Sequence, residues 1–406
     1  MRYKPYLQTL LFAALSILLV ICMIRFPQVA FEAALRGLKI WWDVVFPALL
    51  PFMILSEVMM GFGVVHFIGV LLEPLMRPLF NVPGTGGFVM AMGFSSGYPV
   101  GPKLAVNLRQ QKLVSRAEGE RLVCFTSTSD PLFIFGAVAV GFFHDASLGI
   151  TIAVANYLSA IMIGIALRFH DRKGAVTPYS SDRHKPLLYK ALQAMHRARL
   201  KDRRPLGQLM GDAVTSTFQT LFVIGGFIII FSVIIQFISI GGFAQVLTIL
   251  LSFILSIFLI PEQLSQVFVT GFFEVTQSMQ IMSELQTPIA MSMKMAVASG
   301  LVAWGGISVH AQVASIISTT DMRYKPYFIW KVIHAILAGV LAFILWNPLQ
   351  KLTSSIGTMP VFAQQVPQGG IRFTWETFQH LGMLASMMLL LLCLFSYAFH
   401  ILVKSK

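Results

Sequence analysis

Eight apolar runs constrain this chain more than any motif in it: Leu7 to Ile24, Val44 to Val65, Leu122 to Phe143, Leu148 to Leu167, Leu221 to Ile240, Phe243 to Ile260, Tyr327 to Trp346 and Leu381 to Val403. Each approaches the ~20 residues that a helix needs to cross the hydrocarbon core of a bilayer. No water reaches that core, so a spanning segment must pair its own amides and carbonyls, and runs of this length do so as α-helices. With 56% hydrophobic and 12% charged residues and a mean hydropathy of +0.76, a water-soluble fold is excluded. The expected fold is an all-α integral membrane protein, a multi-span helical bundle.

The formal charge of +13 reflects topology rather than nucleic-acid binding. Eleven Lys or Arg and three Asp stand between Arg168 and Arg204, a stretch that separates two membrane blocks. Basic loops resist translocation, which puts this stretch, the N-terminus and the Lys404/Lys406 tail in the cytoplasm. Anionic lipid is a secondary contact for the same charges. The charge-poor segment Asn347 to Glu376 is the expected external loop. The first run ends in Arg25-Phe26-Pro27 without a small-residue cleavage pattern and reads as a retained anchor. Cys22, Cys124 and Cys393 all lie in apolar spans without metal-like spacing, so they read as apolar filler and no metal or cofactor is implied.

The chain also resembles itself. At a shift of 178 residues, Phe80 falls on Phe258, Pro83 on Pro261, Val89 on Val267, Gly93 on Gly271 and Phe94 on Phe272. The same register sets Asp130 over Ser308. Hydropathy repeats with it, since each half has apolar spans, a Pro-marked break, a Gly-rich polar segment and an interrupted helix. Such a duplication is a common plan for secondary transporters, whose site lies where the repeats meet. The organisation expected is an anchor helix and basic loop over 1–40, a first repeat over 41–167, a basic cytoplasmic linker over 168–212, a second repeat over 213–320, and C-terminal membrane helices with an external loop over 321–406. Met1-Arg2-Tyr3-Lys4-Pro5-Tyr6 recurs as Met322 to Tyr327, in both cases ahead of an apolar run.

Four polar breaks fall at paired places. Gly93 to Lys103 holds glycines, prolines and serines that a continuous helix in lipid does not tolerate. It reads as a re-entrant hairpin with Ser95, Ser96, Tyr98 and Pro99 at the tip, or as an interfacial loop; Lys103 meets an anion or snorkels. Thr126, Ser127, Thr128, Ser129, Asp130 and Pro131 form the second break, an unwound turn that offers backbone groups to a solute, or a helix start capped by Asp130. In the third, Glu274, Thr276 and Gln277 follow the apolar Val267 to Phe273, where a carboxylate is costly unless it faces a cavity or partner. The alternative there is an exposed hairpin loop. The fourth, Trp304 to Gln312, carries Ser308 and His310, a proton carrier or a satisfied neutral imidazole. Glu73-Pro74 and Arg77-Pro78 read as an interfacial bend.

The runs Trp41-Trp42-Asp43-Val44-Val45-Phe46-Pro47, Leu71-Leu72-Glu73-Pro74-Leu75-Met76-Arg77-Pro78 and Ser96-Gly97-Tyr98-Pro99 give the chain a resemblance, over nearly its whole length, to the YlbJ family of sporulation integral membrane proteins. That family carries a nucleoside-recognition, or Gate, domain similar to parts of concentrative nucleoside transporters. The resemblance implies two repeats with re-entrant hairpins and partly unwound helices. It also implies export of dipicolinate from the mother cell across the outer forespore membrane. By position it points to Ser96, Tyr98, Thr128 to Asp130, Glu274 to Gln277 and Ser308 to His310 as solute contacts. The first tip departs from the nucleoside carriers: it has Ser95-Ser96-Gly97 where they offer glutamine and glutamate, which suits an anionic cargo better than a nucleoside.

The expected function is therefore transport of a small anion, with a proton or sodium ion as candidate coupling ion and the bilayer as the other partner. A non-transporting scaffold or regulator of spore maturation, and a nucleoside-type carrier, are the alternatives. No His-Glu-x-x-His helix and no Gly-x-Ser-x-Gly is present, so an enzyme is not expected. One conflict stands in the topology: simple counting of spans does not leave Arg323 and Lys325 in the cytoplasm unless a broken segment fails to cross.

Overall fold

The computed structural model describes residues 4–171, 177, 186–258 and 260–355, and every regular element among them is helical. The protein is an all-α membrane protein. The expected span Leu381 to Val403, Cys393 and the external loop beyond residue 355 lie outside the described residues.

The chain begins with α1 (Lys4–Arg25) and α2 (Pro27–Ile40); a wider π turn, Trp41–Val45, leads from α2 into α3 (Phe46–Gly61). Pro27–Gly61 is thus one apolar rod of 35 residues, long enough to cross a bilayer. Gly63, at φ 77, ends it in the left-handed region that glycine adopts without strain. The next helix, α4 (Val64–Leu75), remains helical through Pro74. It runs on into a π turn, Met76–Phe80, and stops at left-handed Asn81. The wider turn accommodates prolines that cannot donate to the preceding carbonyls.

Two short helices, α5 (Gly86–Ser96) and α6 (Val100–Gln110), make a helical hairpin turning at Gly97–Pro99. After α7 (Arg116–Thr126) the backbone unwinds over Ser127–Asp130 and resumes as the π-helical segment Phe133–Phe142, then α8 (Ala146–Leu167). Beyond the amphipathic α9 (Leu187–Asp202), α10 (Leu206–Ile240) is a second 35-residue rod, followed by α11 (Phe243–Ile257). A second hairpin consists of α12 (Ser265–Phe273) and α13 (Val275–Glu284). The chain continues with α14 (Met291–Trp304), a two-glycine break, α15 (Gly306–Ile317) and α16 (Tyr324–Ser355).

Helix boundaries recur at the offset found in the sequence. Adding 178 to Pro27, where the first rod begins, gives Pro205, the residue that caps α10. The same step takes Thr126, the last residue of α7, to Trp304, the last of α14, and Ala146, the first of α8, to Tyr324, the first of α16. Corresponding helices lie antiparallel. Gly37 on α2 packs on Ser232 and Arg36 bonds Gln236 at 2.7 Å, near the end of α10; Gly61 at the far end of α3 packs on Leu209 at its start. Asp171, just after α8, meets Arg323, just before α16, at 3.1 Å. Small residues at these crossings let backbones approach closely, the usual basis of helix association in membranes.

The hairpins come in from opposite ends of this frame. The base of the first is tied by Arg109 to Asp321, at 2.8 Å through two parallel bonds, and its α5 packs on α4, which lies against α9 of the basic linker. The second sits beside the Ile240 end of α10. The hairpin helices, 9 to 11 residues each, are too short to cross singly, while Met291–Ile317 is long and apolar enough to do so. Arg323 therefore shares the face of the Arg168–Arg204 linker, and the topological conflict disappears. Each hairpin is seated in its own apolar cluster: Val89–Met92, Ala105 and Val106 in one, Leu264, Val267, Val275 and Met279 in the other. Phe253, Ile249 and Ile336 are 71%, 68% and 64% exposed, the surface that lipid covers.

Candidate functional site

Pro131 organises the first break. Lacking an N–H, it leaves the carbonyl of Ser127 four residues earlier without its helical partner. Lys331 on α16 supplies the missing donor: its Nζ lies 2.9 Å from Ser127 O. Tyr157 on α8 donates to the next freed carbonyl, Ser129 O, at 3.1 Å, and Ser127 Oγ meets the Tyr327 hydroxyl at 3.2 Å. Asp130 starts the following segment by accepting from Phe133 N at 2.8 Å, so the capping role weighed from the sequence is real. The Thr128 hydroxyl is fully buried and bonds nothing; that of Ser129 faces Tyr98 without a well-formed bond.

The first hairpin lies directly on this break. Gly93 and Gly101 bring α5 and α6 onto the carbonyl of Thr126, where an added Cβ would stand 2.5 Å from the oxygen in either case. At the tip, Gly97 adopts φ 70, ψ −169, and its missing Cβ leaves room for Asp130 Oδ2. Tyr98 reaches across the molecule: its hydroxyl donates to Val302 O on α14 at 3.1 Å, and its ring lies 3.4 Å from the Cβ position of Gly305. The other tip residues look elsewhere. Ser95 bonds back to Ala91 O at 2.7 Å, Ser96 is half-buried as the last residue of α5, and Lys103 is exposed on α6, away from the cluster.

The second hairpin repeats the arrangement with other residues. Glu274, 4% exposed, caps α13 by accepting from Gln277 N at 2.8 Å and from Thr276 Oγ1 at 3.0 Å. It is seated on the glycine break below it, where a Cβ on Gly306, at φ 80, would stand 2.8 Å from Phe273 O and 3.1 Å from Glu274 Cα. Gln277 donates to Ile228 O of α10 at 3.2 Å. Trp304 ends α14 with its Nε1 on Phe272 O at 3.1 Å and its ring stacked on Phe272. Ser308 is buried on α15; His310 lies against Trp304 at 4.0 Å and shares a 2.6 Å bond with the Tyr324 hydroxyl. The structure thus brings Tyr98, Ser127 to Asp130 and Glu274 into one region, with Tyr98 in electrostatic reach of both carboxylates. It leaves Lys103 outside and turns His310 toward the aromatic side of α15.

Beside the second hairpin opens a cavity of about 1080 Å³, lined by Arg36, Asp43, Gln236, Gln266, Gln277 and Gln280 among others. Of the residues expected from the sequence, Gln277 alone lines it. A polar chamber of this kind beside a hairpin is where irregular backbone is tolerated at membrane depth.

The chain is 48% identical over 350 residues, 84% of its length and 84% of the other, to the sporulation integral membrane protein YlbJ of Bacillus subtilis (strain 168). The chain belongs to the YlbJ family. The Gate family, described as nucleoside recognition, matches residues 42–166, which hold the latter part of the first rod, the first hairpin and the first break of this YlbJ-family chain. Two solved structures overlap it loosely. CNTnw in an inward-facing substrate-bound state covers 76% of its own length and 79% of this chain at TM-score 0.40 and 11% identity; a doubly substituted CNTnw in an outward-facing state covers 77% and 80% at 0.41 and 13%. These overlaps are too loose to equate individual residues.

Among the residues that sequence reasoning passed over, Lys331 and His334 stand out in this YlbJ-family chain. They are three positions apart on α16, 0% and 1% exposed, inside a run read as an ordinary span. A lysine in a 20-residue apolar run is itself the signal that finds such a group. His334 Nε2 meets Asn156 O at 3.2 Å, and these two residues are 178 apart, so the positions that correspond in the two halves touch each other. Asn156 also donates to Ser299 O at 3.3 Å, while its own Oδ1, Ser299 Oγ and His334 Nδ1 are buried without partners.

Proposed function

We propose that this chain is a secondary carrier of a small anionic solute in endospore formation, with dipicolinate the foremost candidate. Two inverted repeats, 27–167 and 205–346, form the machine; the first extends the 41–167 unit read from the sequence at its start, and the second extends the 213–320 unit at both ends. One observation carries the reading: both hairpin tips and both helix breaks meet at a single buried region, through Gly97 on Asp130, Gly306 on Phe273–Glu274, and Tyr98 on Val302. Interrupted helices are unaffordable against lipid and have no use in a passive scaffold, whereas a carrier needs them at its solute site. The relative's role in sporulation supports the cellular setting, and the outer forespore membrane is the location that fits export from the mother cell.

In the proposed cycle, solute enters from the polar cavity beside the second hairpin and passes Gln277. It binds where Tyr98, Thr128, Ser129 and Glu274 converge, and leaves when the first hairpin withdraws toward the opposite face. Hydroxyls and freed amides supply donors to carboxylate oxygens. Asp130 and Glu274 are themselves acidic, so a dianion is accommodated together with a proton or sodium ion.

Purified protein in liposomes tests the reading through uptake of labelled dipicolinate against imposed proton and sodium gradients. Uptake abolished by Glu274→Gln combined with Ser96→Ala, with folded protein retained, supports it. Absence of uptake under every gradient refutes it. The carboxylates of Asp130 in the first break and Glu274 at the second tip also favour a second reading, a nucleoside-type carrier, which predicts uptake of uridine in the same liposomes.

A further inference from the structure

The carrier reading leaves unexplained the most costly side chain in the membrane. Lys331 is completely buried, and among the described residues it forms no ion pair. An ammonium carries three donors. One points at Ser127 O, 2.9 Å away, and the group stands 5.6 Å from the centre of the Tyr98 ring. Burying such a charge without a counter-charge costs several kcal/mol. A carbonyl near a helix C-terminus and an aromatic face offset that only in part.

Capping the broken helix does not account for a lysine. The second half has the same interruption, and there left-handed Gly305 closes α14 with its own backbone N–H on Leu301 O, without a lysine. At the 178-residue offset from Lys331 stands Ala153. The two carboxylates of the region are turned to backbone amides, Asp130 to Phe133 N and Glu274 to Gln277 N, and neither is spent on Lys331. The amine thus has no carboxylate partner among the described residues, has no counterpart in the other half, and is covered by Tyr98 at the tip of the first hairpin, the element that withdraws in the proposed cycle.

We propose that Lys331 is the counter-charge for a carboxylate of the solute, held beneath Tyr98 until the first hairpin lifts. The inference rests on the carrier reading and specifies its substrate class, carboxylate-bearing anions. On binding, one carboxylate oxygen takes a donor of Nζ in place of the Tyr98 face, while Ser127 O keeps another.

The test uses full-length protein in liposomes and a charge series: dipicolinate (dianion), picolinate (monoanion) and pyridine-2,6-dicarboxamide (neutral). Wild-type uptake of labelled dipicolinate is competed in the order dianion, monoanion, neutral. Lys331→Gln raises KM for dipicolinate about 10- to 100-fold, the worth of one charge-assisted hydrogen bond. It also flattens the order of competitors, while Lys331→Arg preserves it. A Lys331→Gln protein with wild-type KM and an unchanged order overturns the inference and leaves the carrier reading standing. Wild-type protein that transports no member of the series removes the carrier reading first. Should Lys331→Gln fail to fold, the wild type decides: saturating dipicolinate, but not the dicarboxamide, slows reaction of Lys331 with an amine-directed reagent, read by peptide mass spectrometry. Equal rates under both ligands overturn the inference.

Discussion

Gly97→Ala is the sharpest test of how the hairpin tip is held. The residue sits at φ 70, ψ −169, a region essentially closed to residues with a side chain, and forcing alanine there costs about 1–3 kcal/mol. The new Cβ would lie 2.5 Å from Asp130 Oδ2 and 3.1 Å from Asp130 N, so the tip must withdraw by nearly 1 Å to reach ordinary contact. That movement stretches the 3.1 Å bond between Tyr98 and Val302 O beyond hydrogen-bonding range, a further loss of about 1 kcal/mol. The docked tip is then disfavoured by roughly 2–4 kcal/mol, a 30- to several-hundred-fold shift in its population. Hydrogen exchange read by mass spectrometry over residues 93–103 should accelerate by that order, and dipicolinate uptake should fall with it. Gly306→Ala should do the same to residues 271–277, since its Cβ would meet Phe273 O at 2.8 Å. Gly211→Ala is the control: nothing lies within 4 Å of its Cβ position on α10, and it should leave both segments unchanged. Wild-type exchange at 93–103 and wild-type uptake in Gly97→Ala would refute the packing of tip on break.

Other outcomes follow from side chains elsewhere in the fold. Burial works against ionisation of Glu120, yet hydrogen bonds from His170 and Arg323 hold its carboxyl at about 2 instead of the ordinary 4.5. Its stabilisation is therefore complete above the unfolded value and is lost as pH falls from 4.5 toward 2; Glu120→Gln should cost about 2–3 kcal/mol at pH 7 in detergent unfolding, and the gap to wild type should close across that window. The Arg109–Asp321 pair is 27% and 51% exposed, so a double-mutant cycle should give a coupling below about 1 kcal/mol. Asn156→Leu removes the side-chain donor on Ser299 O but leaves the backbone carbonyl of residue 156 to His334, so it should destabilise by only about 0.5–1.5 kcal/mol, read by thermal unfolding.

What could be seen in the sequence was whatever local chemistry dictates. Pro131 after four hydroxylic residues forbids a continuous helix whatever surrounds it, and Gly97 and Gly305 mark left-handed turns on their own account. The 178-residue register emerged from a handful of identities, a proline and a glycine among them. The run Leu122 to Phe143, by contrast, has the hydropathy of one span and is two segments about an unwound turn, since hydropathy averages over the hydroxyls. Lys331, Tyr157 and Asn156 are hidden for a different reason. Each acts on a carbonyl or side chain that the fold brings from far along the chain, 204 residues away in the case of Lys331 and Ser127. Nothing in the local sequence states which carbonyl a proline has freed or which distant donor fills it.

Symmetry of frame and asymmetry of site have different work to do. Two halves with matching helix boundaries and antiparallel course can exchange conformations, each adopting what the other had, at little net cost, because most of the packing broken at one face is re-formed at the other. The frame alone suffices for that: the paired rods, the crossing at Asn156 and His334, and one hairpin at each face. A solute has no such symmetry, and recognition must come from residues that differ between the halves. The differences concentrate at the tips and breaks: Tyr98 and Pro99 at one tip against Glu274 and Gln277 at the other, Ser127 to Asp130 at one break against two glycines at the other, and Lys331 where the opposite half has Ala153. Restoring symmetry there is thus a stricter experiment than removing a single hydrogen bond. Ser127→Gly with Thr128→Gly should leave the frame folded and the hairpins docked, as Gly305 and Gly306 do in the second half, while uptake is lost. Persistence of uptake in that variant would place solute recognition outside the first break.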